Sequence, residues 1–257
     1  MTSEDLHLDR RRARSFGSVA DQYDRYRPAC PDALIEDFVA LRPERVLDVA
    51  CGTGKVAVPL AKHGLSVLGV EPDERMAEVA RGHGVPVEIA PFETWDDAGR
   101  RFDLITCGNA WHWIDPARGV LKAAAVLRPG GVIARFWSYH LLEEPVLAVL
   151  DAVYGRLAPD APVHGRTAEK STEVDPFAES DAFSSVETRK YRWEDTLSAD
   201  EWVRLVATYS DHQRLGPERL ALLQRALYEA IQGLGGAVRS HGETHVLSAR
   251  RATLPSS

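Results

Sequence analysis

The stretch that most restricts how this chain can fold runs from Arg45 to Glu71, RVLDVACGTGKVAVPLAKHGLSVLGVE. A short apolar run, Val46-Leu47-Asp48-Val49-Ala50, leads into small residues with Gly52 and Gly54, then into a helical pattern that ends at Gly64. A second apolar run, Ser66 to Val70, closes on the acid Glu71. Two β-like runs joined by one helix are most simply parallel neighbours with a right-handed crossover. The small residues let a ligand approach the backbone at the carboxyl end of the first strand, where the free N–H groups of the next helix point. Glu71 is an acceptor-only carboxylate able to take both hydroxyls of a ribose, so a nucleoside-containing ligand is expected.

Two ligand classes compete for this unit. Gly52-Thr53-Gly54-Lys55-Val56-Ala57 also reads as the dinucleotide fingerprint G-x-G-x-x-A, with Glu71 at nearly the fingerprint distance. A phosphate-binding P-loop is excluded, because Val56 follows Lys55 and Val49 stands where the first glycine belongs. Asp48, at the mouth of the turn, would repel a pyrophosphate and suits a ligand with an ammonium group. S-adenosylmethionine carries an α-ammonium, a sulfonium and a ribose. An NAD-dependent oxidoreductase, or a module that holds the cofactor without turnover, stays open as an alternative.

The run from Val46 to Gly54 resembles the first motif of the class I S-adenosylmethionine-dependent methyltransferases. Gly69-Val70-Glu71-Pro72 with Met76, Phe102-Asp103-Leu104-Ile105 and Leu127-Arg128-Pro129-Gly130-Gly131 follow in the family's order, and the resemblance spans roughly residues 14–137. The last turn discriminates best, since a dehydrogenase does not require it. Ala50 departs from the family's more usual glycine, with a methyl group expected to crowd the methionine end of the cofactor. The resemblance implies an α/β, Rossmann-like fold: a seven-stranded, mostly parallel sheet with helices on both faces, the last strand antiparallel, and an inserted helical cap. It also implies a cofactor site of Asp48, Ala50, Cys51, Gly52, Thr53 and Gly54, with Glu71 and Pro72, and Asn109, Ala110 and Trp111 after the fourth strand. Tyr23 and Arg27 are expected near the methionine carboxylate and Met76 beside the adenine, though ordinary packing would also explain all three. Pro91 cannot supply the side-chain acceptor usual near the adenine amino group, which leaves the Phe92 N–H to donate to the ring and Glu93 or Thr94 to supply the missing acceptor.

With 257 residues, one methyltransferase domain with an insertion is expected. Residues 1–41 would form N-terminal helices and a lid, 42–137 the cofactor-binding core, and 138–183 with 195–240 a cap over the substrate. No apolar run approaches the ~20 residues that span a bilayer, and MTSEDLHLDRRRAR lacks a signal-peptide core. A formal charge of −7 argues against broad nucleic-acid binding and favours a small-molecule acceptor. Three cysteines, Cys30, Cys51 and Cys107, fit reduced thiols in a cytoplasm. Neither they nor the histidines have metal-ligand spacing, so no metal is expected.

Along the chain, the basic run at residues 10–14 reads as a solvated helix face, and Phe16, Val19, Ala20, Tyr23 and Tyr26 share one helical stripe. Helices are predicted from Pro31 to Leu41, with Leu34, Phe38 and Leu41 inward, from Asp73 to Arg81, and from Pro116 to Leu127 with Asp115 as N-cap. Further strands are predicted at Val87–Ala90, Phe102–Asn109, Val132–Trp137, Ser185–Trp193 and Thr244–Arg251. Val146, Val149, Leu150 and Val153 mark a helix, residues 158–175 a mobile loop. Two more helices carry Trp202, Leu205, Val206 and Tyr209, then Leu220, Leu223, Leu227 and Ile231.

Methyl transfer from a sulfonium is an in-line displacement, so the enzyme chiefly aligns an acceptor and excludes water. Within the resemblance, small-molecule methyltransferases that esterify trans-aconitate or modify specialised metabolites lie nearest, leaving O- and C-methylation both open. Trp111, His112, Trp113, Trp137, Tyr139, Tyr209 and His212 are the expected acceptor residues, the aromatic ones suiting a flat or apolar molecule. His112, after the fourth strand, is read either as a general base or as part of an aromatic wall.

Overall fold

The computed structural model describes residues 3–13, 15–166 and 175–253. A seven-stranded sheet has the order β3-β2-β1-β4-β5-β7-β6. Its strands are β1 (Arg45–Val49), β2 (Ser66–Glu71), β3 (Val87–Ile89), β4 (Phe102–Gly108), β5 (Leu127–Leu142), β6 (Phe183–Ser198) and β7 (Ala237–Arg251). The first five pair in parallel and β7 lies antiparallel between β5 and β6. The strand order reverses between β1 and β4, which opens a crevice at their carboxyl ends.

Ten α-helices accompany the sheet among the described residues: α1 (Arg10–Ala13), α2 (Ala20–Tyr26), α3 (Asp32–Ala40), α4 (Ala57–Lys62), α5 (Glu74–Gly82), α6 (Pro116–Val126), α7 (Glu144–Leu157), α8 (Ala199–Ala207), α9 (Ser210–Gln213) and α10 (Pro217–Gly233). Side chains of a strand alternate between faces, so both faces of this sheet need cover. Leu47, Val49, Ile105 and Ile133 pack with α6 residues such as Val120 and Ala123, while Val46, Leu104, Val132 and Phe136 pack with Leu34, Leu60 and Ala77 of α3, α4 and α5. A third core belongs to the cap, where Leu150 of α7, Trp202 and Leu205 of α8, and Leu227 and Ile231 of α10 meet. Caps fix the helix starts: Asp73 accepts from the N–H of Arg75 and Met76, Asp115 from that of Arg118, and Ser198 with Glu201 forms a reciprocal box.

Several sequence expectations shift. Leu41 lies beyond α3 and is 46% exposed, because the chain turns at Arg42 with φ of 51°. The buried face of α7 is Leu147, Leu150, Val153 and Tyr154, with Val146 and Val149 only half-buried. Residues 138–142, 195–198 and 237–240, assigned to the cap from sequence, are strand, and they carry β5, β6 and β7 past the carboxyl edge of the parallel sheet. Gly242 makes this possible, since a Cβ there would lie 2.1 Å from the Trp193 indole that crosses it. Of the expected mobile loop, residues 167–174 lie outside the described residues; nearby, the Leu142 N–H donates to the Gly165 carbonyl at 2.9 Å. Arg12 of the basic run is not free in solvent: its Nε donates to Ser210 Oγ at 3.0 Å. No helix among the described residues is long and apolar enough to cross a membrane.

Candidate active site

The carboxyl ends of β1, β2 and β4 bring two buried acids together. Asp48, 1% exposed, accepts from the Thr106 hydroxyl at 2.7 Å through Oδ1, while its buried Oδ2 has no hydrogen-bond partner. Glu71, 6% exposed, accepts from the Gly52 and Asp73 N–H groups, each at 2.9 Å. Burial raises both carboxyls to about 7 against the pull of these donors, and Asp48 pushes Glu71 further up. An ammonium near Asp48 would supply the missing partner, so the residues present fit the expected cofactor. The turn after β1 also explains the family's glycine. Ala50 has φ of 49°, so it carries the cost of a left-handed backbone that a glycine would not, and it lines the cleft above the turn. Asn109, at the end of β4, has φ of 55° and its Oδ1 accepts from the Ser138 N–H at 2.9 Å.

A first cleft of about 640 Å³, mouth included, opens over this turn. Of the predicted cofactor residues it is lined by Tyr23, Arg27, Asp48, Ala50, Cys51, Gly52 and Asn109, and it adds Lys55 and Ser138, which sequence reasoning missed. Thr53, Gly54, Glu71, Pro72, Met76, Phe92, Glu93, Ala110 and Trp111 line neither this cleft nor the next. The physical reason is partly the N-terminal segment, which packs over α5. A Cβ on Gly17 would lie 2.3 Å from the Asp73 carboxylate, and Asp24 of α2 meets Lys55 through its carbonyl and His83 through its carboxylate at 2.9 Å. Met76 and Phe92 are 4% and 3% exposed. Glu93 is turned to another task, since its Oε1 accepts from the Asp115 N–H at 3.1 Å. Trp111 is displaced from the expected site: it is 4% exposed and packs on Phe177, with ring centres 5.1 Å apart.

A second cleft of about 750 Å³, mouth included, continues from the first. Both share Tyr23, Arg27, Asn109, Ser138 and Tyr209. The second adds the predicted His112, Trp113, Trp137 and Tyr139, and also Phe16, His140, His164 and Asp211. Its dividing wall is a stack. The Arg27 guanidinium donates to the Thr208 hydroxyl and carbonyl and lies 3.8 Å from the centre of the Tyr209 ring, and that ring stacks on His164 at 3.6 Å and 7°. Burial, with the nearby cations Arg12 and Arg27, lowers His112 to about 4, leaving it neutral and weakly basic at neutral pH.

His212, expected at the acceptor site, is fully buried and lines neither cleft. Its Nδ1 meets Asp211 at 2.8 Å and its Nε2 the Tyr154 hydroxyl at 2.7 Å. His164, Asp211 and His212 thus place three ligand-type atoms within 4.8 Å of one another, a grouping that spacing along the chain did not reveal. Both ring nitrogens of His212 are hydrogen-bonded to protein groups.

A family model described as a methyltransferase domain matches residues 46–131. An uncharacterized methyltransferase of Mycobacterium tuberculosis is 32% identical over 199 residues, which cover 76% of this chain and 76% of that protein. A ubiquinone biosynthesis O-methyltransferase of Coxiella burnetii is 32% identical over 149 residues, 51% of this chain and 63% of its own length. Among solved structures, a methyltransferase of Anaeromyxobacter dehalogenans superposes with a TM-score of 0.66 at 25% identity, over 89% of this chain and 100% of that one. The motif order, the seven-stranded sheet and these relatives agree: the chain belongs to the class I S-adenosylmethionine-dependent methyltransferases.

Proposed function

We propose that this enzyme moves the methyl group of S-adenosylmethionine to an oxygen or carbon of a small, flat or apolar acceptor held in the second cleft. The carrying observation is that the two clefts share five residues, so a methyl group presented from the first would open into an enclosure walled by Phe16, Trp113, Trp137, Tyr139 and Tyr209. The aromatic lining of the cleft suits a small molecule, and the negative net charge does not favour a nucleic acid. The O-methyltransferase name of the Coxiella relative supports an oxygen acceptor.

In this reading Asp48 Oδ2 receives the cofactor's ammonium and Glu71 its ribose. Tyr23 and Arg27 close over the methionine end, and the segment up to Arg27 serves as a lid. When bound, the sulfonium supplies an activated methyl group; the chain's own residues orient the acceptor behind it and keep water out. His112, hemmed in by Arg12 and Arg27, serves as wall. Titration calorimetry with S-adenosylhomocysteine tests the cofactor assignment, with micromolar-range binding expected. Binding of NAD without binding of S-adenosylhomocysteine would sink it.

A further inference from the structure

Four histidines, His112, His140, His164 and His212, stand in or directly behind the second cleft. Their surroundings differ. His112 has the cations Arg12 and Arg27 near it, which oppose taking a proton. His140 bonds to Ser240 through Nδ1 and has no carboxylate on either nitrogen among the described residues. His212 has both nitrogens committed. His164 lines the cleft with its Nε2 at 3.4 and 3.3 Å from the two oxygens of Asp211. Donation from Nε2–H to that carboxylate leaves the lone pair on Nδ1. The stacked Tyr209 ring fixes the plane of the imidazole.

We infer that His164, oriented by Asp211, is the base that removes the proton of a phenolic hydroxyl acceptor in the second cleft, a step that rests on the methyltransferase reading of that cleft. The acceptor O–H bond breaks and its proton moves to His164 Nδ1. The oxygen's electron pair forms the new O–CH₃ bond while the C–S bond breaks and its pair stays on sulfur, giving the methyl ether and S-adenosylhomocysteine. The imidazolium is stabilised by the Asp211 carboxylate and later loses its proton to solvent. The aromatic wall matches a phenol's ring, and an ordinary phenol, with a pKa of about 10, needs such a base at neutral pH. Asp211 stays ionised because the His164 and His212 ring nitrogens both bond to it. Burial lowers the His164 pKa against the opposing pull of Asp211, with His212 behind Asp211 and Arg27 across the Tyr209 ring adding to the lowering and His140 from β5 nearby, so the ring is neutral and free to accept a proton at neutral pH.

Turnover with radiolabelled S-adenosylmethionine, measured on 4-methylphenol, catechol and the more acidic 4-nitrophenol, tests this in the parent, His164→Asn and Asp211→Asn. Supporting results are a fall in kcat of roughly 10²–10⁴-fold on 4-methylphenol and catechol for His164→Asn, a much smaller fall on 4-nitrophenol, and S-adenosylhomocysteine affinity within about twofold of the parent. The acid limb of the kcat profile should vanish in His164→Asn and shift in Asp211→Asn. Asp211 is a positioning residue, so its smaller effect must appear in that profile as well as in rate. Equal losses on all three phenols, unchanged turnover, a stoichiometric metal ion whose removal abolishes activity, or no phenol methylated by a parent that binds S-adenosylhomocysteine would each overturn the inference. Failure of the parent to bind S-adenosylhomocysteine would instead overturn the cofactor reading beneath it.

Discussion

The two clefts are built in opposite ways. The first has six lining residues in one continuous stretch, Asp48 to Val56, where a parallel strand stops and a helix begins, and takes the rest from residues 23–30, the end of β4, β5 and Tyr209. The second is assembled from the N-terminal segment, the loop after β4, the extension of β5, the loop after α7 and the start of α9. A turn between a strand and a helix is placed by local geometry, so its groups keep their relations whatever lies above. Groups on five separate segments hold position only while the cap's own core and the Arg27–Tyr209–His164 stack hold them. The first cleft is therefore expected to be robust and the second conditional.

The strongest challenge to that contrast is Trp202→Ala, which hollows the cap core and should cost about 3–5 kcal/mol of stability. Calorimetry at low temperature should still find S-adenosylhomocysteine binding, since Trp202 lines neither cleft; complete loss of binding would show the halves to be one unit. Next in size, Glu71→Gln should weaken S-adenosylhomocysteine binding by about 1.5–3 kcal/mol, on the order of 10–150-fold, without changing an acceptor's KM at saturating cofactor. A parallel rise in that KM would mean the clefts are coupled.

The two acids also give the ligand-free protein a pH signature. Their folded pKa values, about 7, stand above the unfolded values of about 4, so the folded state binds more protons in between. Their contribution to stability is fully present below about pH 4 and is lost as pH rises through 7. His112 and His140, depressed to about 4, act the other way: their contribution is present above about 6.5 and is lost as pH falls through 4. From pH 6.5 to 8 the acids govern, so thermal stability of the ligand-free protein should fall, and less steeply in Glu71→Gln. S-adenosylhomocysteine should restore more stability at pH 8 than at pH 6, because its ammonium prefers an ionised Asp48. A flat profile in both proteins would contradict the buried-acid picture.

A gentler probe concerns the cover shared by both clefts. Limited proteolysis before Pro28 should slow several-fold with S-adenosylhomocysteine if the N-terminal segment closes over the cofactor; equal rates would make it a fixed part of the wall. Smallest of all, Ala50→Gly should change stability by no more than about 1 kcal/mol, upward, because relief of the left-handed backbone slightly exceeds glycine's entropic cost. A clear loss measured by urea denaturation would mean that the Ala50 methyl contributes packing that outweighs the strain.

Much of the fold was legible because its signals are short-range. Apolar runs, Gly52 and Gly54, Asp115 as a cap and the Arg128-Pro129-Gly130-Gly131 turn each declare themselves within a few residues. Strand ends were not legible where pairing decided them: residues 138–142 and 237–240 mix polar and apolar side chains without a clean strand pattern and become strand by pairing across the sheet, as His140 does with Gly242. Trp111 and His112 are neighbours in sequence, yet one packs into the core against Phe177 and the other faces a cleft, a division set by the turn they form together.

By itself the sequence determined the strand-turn-helix unit, the acids at its edge and with them the family, because hydrogen bonding and side-chain alternation over a few residues suffice to specify such a unit. Only the tertiary structure decided which groups face an acceptor. Arg27 meets Thr208 across 181 positions and His164 meets Asp211 across 47, and these meetings depend on how the cap helices pack, which no local pattern encodes.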